Sequence, residues 1–220
     1  MSIFEIMGPA MIGPSSSHTA GAARLGRMAK LLFAEKIDKA VVKLHGSFAD
    51  TASGHGTDRA IIGGLLGFLP DDERLKNSFA LAEDAGLDFS IEEVKLRKVH
   101  PNTTLIELYN EELDKELEMI GSSVGGGRIE VTEINGSSVK LTGRMPTLWV
   151  LHKDRPGEIA IITTILGEHE INIAFMQVYR NRKGDVGSSI IEVDQKPDLE
   201  VIKSLEESED IFQVRYLPPL

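Results

Sequence analysis

The sequence predicts an α+β protein in two domains, a mixed first domain over residues 1–146 and a βαββαβ unit over residues 147–220. Three observations carry this. The chain has 220 residues, 41% apolar and 26% charged, which is the composition of a folded globular protein and at about 100–200 residues per domain leaves room for two. Residues 121–146 crowd together Gly121-Ser-Ser, Gly125-Gly-Gly, Asn135-Gly-Ser-Ser and Gly143-Arg-Met-Pro146, turn chemistry that marks hairpins and then a boundary at Met145–Thr147. Beyond it, short apolar runs alternate with helical periodicity.

In the first domain Leu25, Met28, Leu31 and Leu32 recur at helical spacing within Ala20–Phe33. Ala40–Leu44 reads as a strand, and Thr57–Phe68 as an apolar, glycine-containing helix after a His-Gly turn. Asp88–Val99, Thr103–Tyr109, Leu117–Gly121, Gly127–Ile134 and Val139–Thr142 read as strands. In the second domain Leu148–His152 is a strand, and Asp154-Arg-Pro-Gly157 opens a helix carrying Ile159, Ile162, Ile165 and Leu166, which Gly167 and Glu168–Glu170 end. Ile171–Arg180 and Asp185–Asp194 form a hairpin across Asn181-Arg-Lys-Gly184. Pro197 opens a second helix, and Ile211–Leu217 is a last strand stopped by Pro218-Pro219, which have no N–H for a ladder. The order is that of a ferredoxin-like unit.

Simple alternation along Ile171–Arg180 puts Ile171, Ile173 and Phe175 on one face and Ala174, Met176 and Val178 on the other. Both faces are apolar. The unit's helices cover one, so the other face or the sheet edge is expected to meet a second copy or a neighbouring domain.

Composition also excludes. The formal charge is −10, and residues 147–220 hold 8 basic and 13 acidic side chains, so neither part is built to bind nucleic acid. With no cysteine the chain cannot form a disulfide, a zinc thiolate site or a cysteine-ligated iron–sulfur cluster of its own. No apolar run reaches the roughly 20 residues of a membrane span, and Met1–Met7 lacks the basic start of a signal peptide. A cytoplasmic protein is expected.

The stretch Gly13-Pro-Ser15-Ser16-Ser17-His18-Thr19-Ala-Gly21 is too polar for packing. Its hydroxyls precede a helix, where they and the first helical N–H groups can gather round a carboxylate or phosphate while His18 moves a proton. A serine-rich helix cap beside an exposed histidine is the simpler reading of the composition alone. Gly54-His55-Gly56-Thr57-Asp58-Arg59 is a second histidine-bearing helix start, and again Thr57 or Asp58 could simply cap it. The pairing of two such starts, among only six histidines, raises the functional reading. Neither has metal-ligand spacing, and no serine sits in G-x-S-x-G, so a zinc enzyme and a serine hydrolase are poorly supported. Gly125-Gly126-Gly127-Arg128 reads as an anion nest or, more simply, a hairpin bend. In the second domain His152, Asp154, Gly157 and Asn172 are expected as neighbours able to hold a small polar ligand, or else as parts of a well-made helix start.

On Gly13-Pro-Ser-Ser-Ser-His-Thr-Ala-Gly21 and Gly54-His-Gly-Thr-Asp58, residues 1–146 resemble the beta subunit of the iron–sulfur-dependent bacterial L-serine dehydratases, with a fold like an allosteric-substrate-binding domain. On His152-Lys-Asp-Arg-Pro-Gly157 and Ile171-Asn-Ile173, residues 147–220 resemble an ACT regulatory domain of the D-3-phosphoglycerate dehydrogenase pattern. The resemblance implies conversion of L-serine to pyruvate and ammonia, with a [4Fe-4S] cluster as Lewis acid, held by cysteines of a partner alpha chain because this chain has none. It further implies His18 as the proton-transferring group with Thr19 orienting substrate, and His55 and Asp58 behind them, Asp58 fixing a histidine tautomer. Ser15, Ser16, Ser17 and Thr57 would bind the substrate anion. No metal ligand is expected in this chain, and this chain alone is expected to be inactive. An amino-acid effector would bind His152, Asp154, Gly157 and Asn172 between two ACT units; Asp154 stands where the pattern has asparagine, which favours a cationic amino group or a metal ion over a carboxylate. The alternative from another class is a non-catalytic sensor of amino acids or small anions, complete without a partner chain.

Overall fold

The computed structural model describes residues 11–180 and 182–220. The Met1–Met7 reading and Asn181 of the hairpin turn lie outside them. Two compact units, residues 1–136 and 137–220, divide in the turn between the fifth and sixth strands.

The first unit begins with a π-helical turn, Ser16–Gly21, that runs straight into helix α1, Ala22–Phe33. Then come β1 (Lys39–His45), α2 (Ser47–Asp50), α3 (Ala52–His55), α4 (Thr57–Leu65), a 3₁₀ turn at Glu73–Asn77 and α5 (Ser78–Asp84). The strands β2 (Asp88–Glu93), β3 (Thr103–Asn110), β4 (Lys115–Ser123) and β5 (Ile129–Ile134) follow, and β6 (Ser137–Leu141) opens the second unit. Within this unit the sheet order is β2-β1-β3-β4-β5, parallel between β1 and β2 and antiparallel from β1 through β3 and β4 to β5.

Alternation decides which face is buried. Val42, Leu44, Ile106, Leu108, Met119 and Val131 are buried, whereas Lys43 and Glu107 between them form a 2.7 Å ion pair. Helices α1 and α4 touch backbone to backbone through two glycines. A Cβ at Gly26 would fall 2.1 Å from Ile61 O, and one at Gly64 would fall 2.1 Å from Ala23 O. Two differences from the sequence reading have local causes. The helix from Thr57 stops at Leu65, ahead of Gly67 at φ 93°. The strand from Asp88 stops at Glu93, because the chain bends through Lys98 at φ 58° toward Pro101. The expected Gly125–Gly127 bend has φ of 97°, 61° and 73°, and Arg24 donates to the Gly127 carbonyl at 2.7 Å.

In the second unit β7 (Thr147–Lys153), α6 (Glu158–Glu168), β8 (Ile173–Arg180), β9 (Val186–Val193), α7 (Leu199–Glu206) and β10 (Ile211–Leu217) form the βαββαβ order with a sheet β10-β7-β9-β8. Leu148, Val150, Ile191 and Val193 pack with Ile162 and Leu166 of α6 and Val201 and Leu205 of α7. The opposite face is buried too: Trp149 is 4% and Ile190 0% exposed, and Trp149 Nε1 donates to Ser188 Oγ at 2.9 Å. The expected two-face assignment of the second strand is corrected by a β-bulge. Ile173 pairs with Val193 and Phe175 with Glu192, so one extra residue resets the alternation, and Ile173 and Met176 both pack on the helix-covered core. Phe175 and Val178 on this edge strand remain 46% and 48% exposed.

Candidate functional site

The π turn exists because its two ends are held. Ser15 is extended, at φ −135° and ψ 121°, and its Oγ accepts the His18 amide at 3.1 Å, while Thr19 N donates to Ser15 O at 2.9 Å. At the other end the turn rests on β4, where Gly21 leaves room for Ser123; a Cβ at Gly21 would fall 2.1 Å from Ser123 Oγ. Gly13, at φ 134°, lies so close to Thr19 that a Cβ would fall 2.6 Å from Thr19 Oγ1. A π turn widens the helix and offsets its side chains, an arrangement often used where a side chain must project from a helix start.

His18 is clamped between two hydroxyls. Nδ1 lies 3.1 Å from Ser15 Oγ and Nε2 lies 3.0 Å from Ser47 Oγ. Gly46, at φ 55°, turns the chain out of β1 and delivers Ser47 to the ring. The arrangement that employs every donor has Ser15 accepting the amide and giving its own proton to Nδ1, with Nε2–H donating to Ser47. Phe48 and His55 pack edge-on, with ring centroids 5.6 and 5.1 Å from that of His18. Burial, and then repulsion from the neighbouring His55, hold the His18 pKa below its ordinary 6.5. The imidazole is therefore neutral at pH 7 and able to take a proton.

Thr19 is 4% exposed, with Oγ1 3.4 Å from the His55 carbonyl. His55 is exposed at the end of α3, just before Gly56 turns the chain at φ 67° into α4. His18, Thr19, His55 and Ser15 thus come together, and Ser16 and Ser17 form the half-buried start of the same turn. Two expected members stand apart. Thr57 is fully buried, its Oγ1 without a hydrogen-bond partner, and Asp58 accepts the Arg59 amide at 2.7 Å rather than a histidine N–H. The two serine hydroxyls do what Asp58 was expected to do for the ring. Ser47 and Phe48 are the members missed by sequence reasoning, and a Gly-Ser step at a strand end was the available signal.

The residues expected to hold a regulatory ligand divide between the two ends of the second sheet. His152 is 2% exposed, with Nε2 2.8 Å from Ser189 Oγ and Nδ1 3.0 Å from Lys153 O. Its ring lies on Gly187, where a Cβ would fall 2.5 Å from Cε1. Asp154 accepts the Gly184 amide at 2.8 Å and pairs with Arg180 at 3.1 Å, and these, the amide first, hold its pKa below the usual 3.8. Gly157 precedes α6 at φ 103°. Asn172, by contrast, donates to Asp194 at 2.6 Å, at the far end of β9 from the His152–Gly187 pair. A strand–helix–strand crossover runs its two strands the same way, so the start of β8 lies beside the start of β7 and not its end. Within one chain Asn172 is not a neighbour of the other three.

Among the described residues no group of three or more His, Cys, Asp or Glu side chains is placed to hold a metal ion. No described helix is long and apolar enough to cross a membrane.

Residues 2–133 match the family model described as "Serine dehydratase beta chain", and residues 147–210 match that of the ACT domain. The chain is 46% identical over 213 residues to a "Probable L-serine dehydratase, beta chain" of Bacillus subtilis, covering 97% of this chain and 96% of that one. It is 40% identical over 204 residues to the "L-serine dehydratase, beta chain" of Peptoniphilus asaccharolyticus, covering 92% and 91%. A D-3-phosphoglycerate dehydrogenase of Archaeoglobus fulgidus is 27% identical over 199 residues, which span 89% of this chain and 37% of that protein.

Proposed function

The chain belongs to the serine dehydratase beta chain family and ends in an ACT domain, and on that premise we propose that it is the beta subunit of a cytoplasmic, two-chain, iron–sulfur L-serine dehydratase that converts L-serine to pyruvate and ammonia. The observation that carries the reading is His18, a neutral imidazole fixed by Ser15 and Ser47 beside Thr19 and His55.

In this reading His18 takes the Cα proton of L-serine, the Cβ–O bond breaks, and the same proton goes on to the departing hydroxyl, which leaves as water with aminoacrylate formed and the imidazole neutral again. The aminoacrylate becomes the imine and hydrolyses to pyruvate and ammonia. Nδ1 is the accepting atom once the Ser15 hydroxyl turns aside, and Ser47 keeps the ring in orientation through Nε2–H. Thr19, itself held at the His55 carbonyl, presents its hydroxyl to the substrate. Ser16 and Ser17 offer the remaining hydroxyls to the substrate anion.

The residues here do not suit an iron–sulfur cluster: there is no cysteine, and no metal-holding group among the described residues. The cluster is assigned to cysteines of a partner alpha subunit, and this chain alone is expected to be inactive. The ACT unit is assigned to an amino-acid effector bound between two copies, with His152, Asp154 and Gly157 near one end of one sheet and Asn172 supplied by the other copy. The exposed Phe175 and Val178 on edge strand β8 support such a homotypic contact.

Anaerobic co-expression with a candidate alpha chain, followed by pull-down, a visible spectrum and pyruvate release from L-serine, tests the assignment. A brown complex that turns over only with both chains present supports it. A complete, ligand-responsive chain that binds no alpha subunit supports the second reading, a non-catalytic sensor. That reading is favoured by one observation, that 89% of the chain aligns with part of a dehydrogenase.

A further inference from the structure

Next to the His18 cluster is a pocket of about 180 Å³, below the roughly 300 Å³ at which pockets take drug-sized ligands. Its apolar floor includes Ala60 and Leu75, both buried. Its polar lining residues are Thr19, His55 and two exposed cations, Arg59 and Lys76. Among the described residues no carboxylate lines it. Asp58 accepts the Arg59 amide and Asp72 pairs with Arg74 at 2.6 Å, while Glu73, the carboxylate nearest in sequence to Lys76, is not part of the lining.

Two cations with no ion-pair partner among the described residues, round a small concavity that Thr19 and His55 also line, make a site for a small organic anion. The backbone that carries Arg59 is fixed, since Ser78 Oγ donates to the Arg59 carbonyl at 2.7 Å and the guanidinium lies 5.8 Å from the Phe79 ring. A guanidinium takes a planar carboxylate through two parallel N–H donors, and an ammonium adds a point charge from the other side. A nucleotide or a diphosphate would not fit the volume, whereas a three-carbon hydroxy acid would.

We propose that Arg59 and Lys76 form the carboxylate-recognition part of the substrate pocket, so that this chain selects small 3-hydroxy carboxylates as well as supplying the base that acts on them. The proposal rests on the dehydratase reading above, and it assigns to this subunit a share of specificity that the motif residues alone do not carry. A carboxylate between Arg59 and Lys76 lies against Thr19, and through it beside His18.

The test uses Arg59→Gln, Lys76→Met and the double variant, both positions being exposed and so tolerant of replacement. In the reconstituted two-chain enzyme each single variant is expected to raise KM for L-serine about tenfold, and the double variant more, with kcat changed less than threefold. Arg59→Lys should recover part of the loss. Independently of turnover, NMR titration of this chain with acetate should shift the His55 ring and Thr19 signals in wild type and not in the double variant. A KM within twofold of wild type in the double variant, or acetate shifts that persist in it, overturns the proposal. If the wild-type pair fails to turn over L-serine, the dehydratase reading falls while the acetate titration still decides the pocket.

Discussion

His18 Nε2 and Ser47 Oγ lie 3.0 Å apart although 29 residues separate them, and this contact closes the clamp that Ser15 begins on the other ring nitrogen. Ser15 is local to the turn and comes with the motif. Ser47 comes from the far end of β1, so the orientation of the ring depends on where the sheet ends.

Replacing Ser47 with Ala should therefore lower kcat of the assembled enzyme by roughly one to two orders of magnitude, less than the roughly 10²–10⁴-fold that a general base contributes, because the base stays and only its orientation is lost. The upward pull of Ser47 on the His18 pKa comes from its backbone, which the substitution keeps, so the acid limb of the pH–rate profile should stay in place while the rate falls. Ser47→Thr keeps a hydroxyl and should recover most of the rate. A Ser47→Ala profile that overlays wild type would remove Ser47 from the site.

The lowered His18 pKa sets a second expectation. The base form persists as pH falls through 6.5, and activity declines only at lower pH, where the ring takes a proton. In His55→Gln the repulsion that helps depress His18 is gone, so the acid limb should shift upward. For stability the sign follows from proton binding. Between the ordinary 6.5 and the lowered folded value the unfolded chain binds more protons, so stability from this group is present above 6.5 and is lost as pH falls through that window. Urea unfolding at a series of pH values, with His18→Gln as control, measures it.

Gly64→Ala should destabilise the first unit by about 2 kcal/mol, because the added carbon falls 2.1 Å from a carbonyl oxygen of α1 and only a backbone shift can relieve it. The strain pushes on α1, which continues the turn proposed to act on substrate, so turnover should fall with stability. Chemical denaturation of this chain gives the first number and the assembled enzyme the second.

Gly187→Ala tests the buried histidine of the second unit. The new methyl would sit 2.5 Å from His152 Cε1 and would drive the ring off Ser189. Loss of that hydrogen bond in the interior leaves polar atoms unpaired, at a cost of about 1–3 kcal/mol. Unfolding that separates into two transitions, with the lower one moved in the variant, is the expected outcome.

Much of this was legible because it is local. The Ser15–Thr19 run, the glycine turns and the Asp154-Arg-Pro-Gly157 helix start announce themselves through side chains that act within one turn of where they stand. Ser47, by contrast, reaches His18 only through the β1 end and the Gly46 turn, and no spacing rule encodes that contact. The β-bulge at Ile173–Phe175 likewise depends on the partner strand, so period-two reading of β8 put Ile173 and Met176 on opposite faces when both pack on one core. Asn172 was misplaced for a topological reason, the parallel run of the two strands flanking α6, which fixes which strand ends meet.

The rest of the π turn on β4 also fixes when the site can come into being. Every side chain of the His18 cluster leaves the ribosome within the first 55 residues, yet Ser123, which fills the space beside Gly21, is made nearly 70 residues later. A nascent or truncated chain ending before β4 carries all the motif residues and lacks the support beneath them. On the role proposed for His18, competence for proton transfer is acquired late in synthesis, and proteolysis in the β4–β5 region would abolish it without touching one side chain of the cluster.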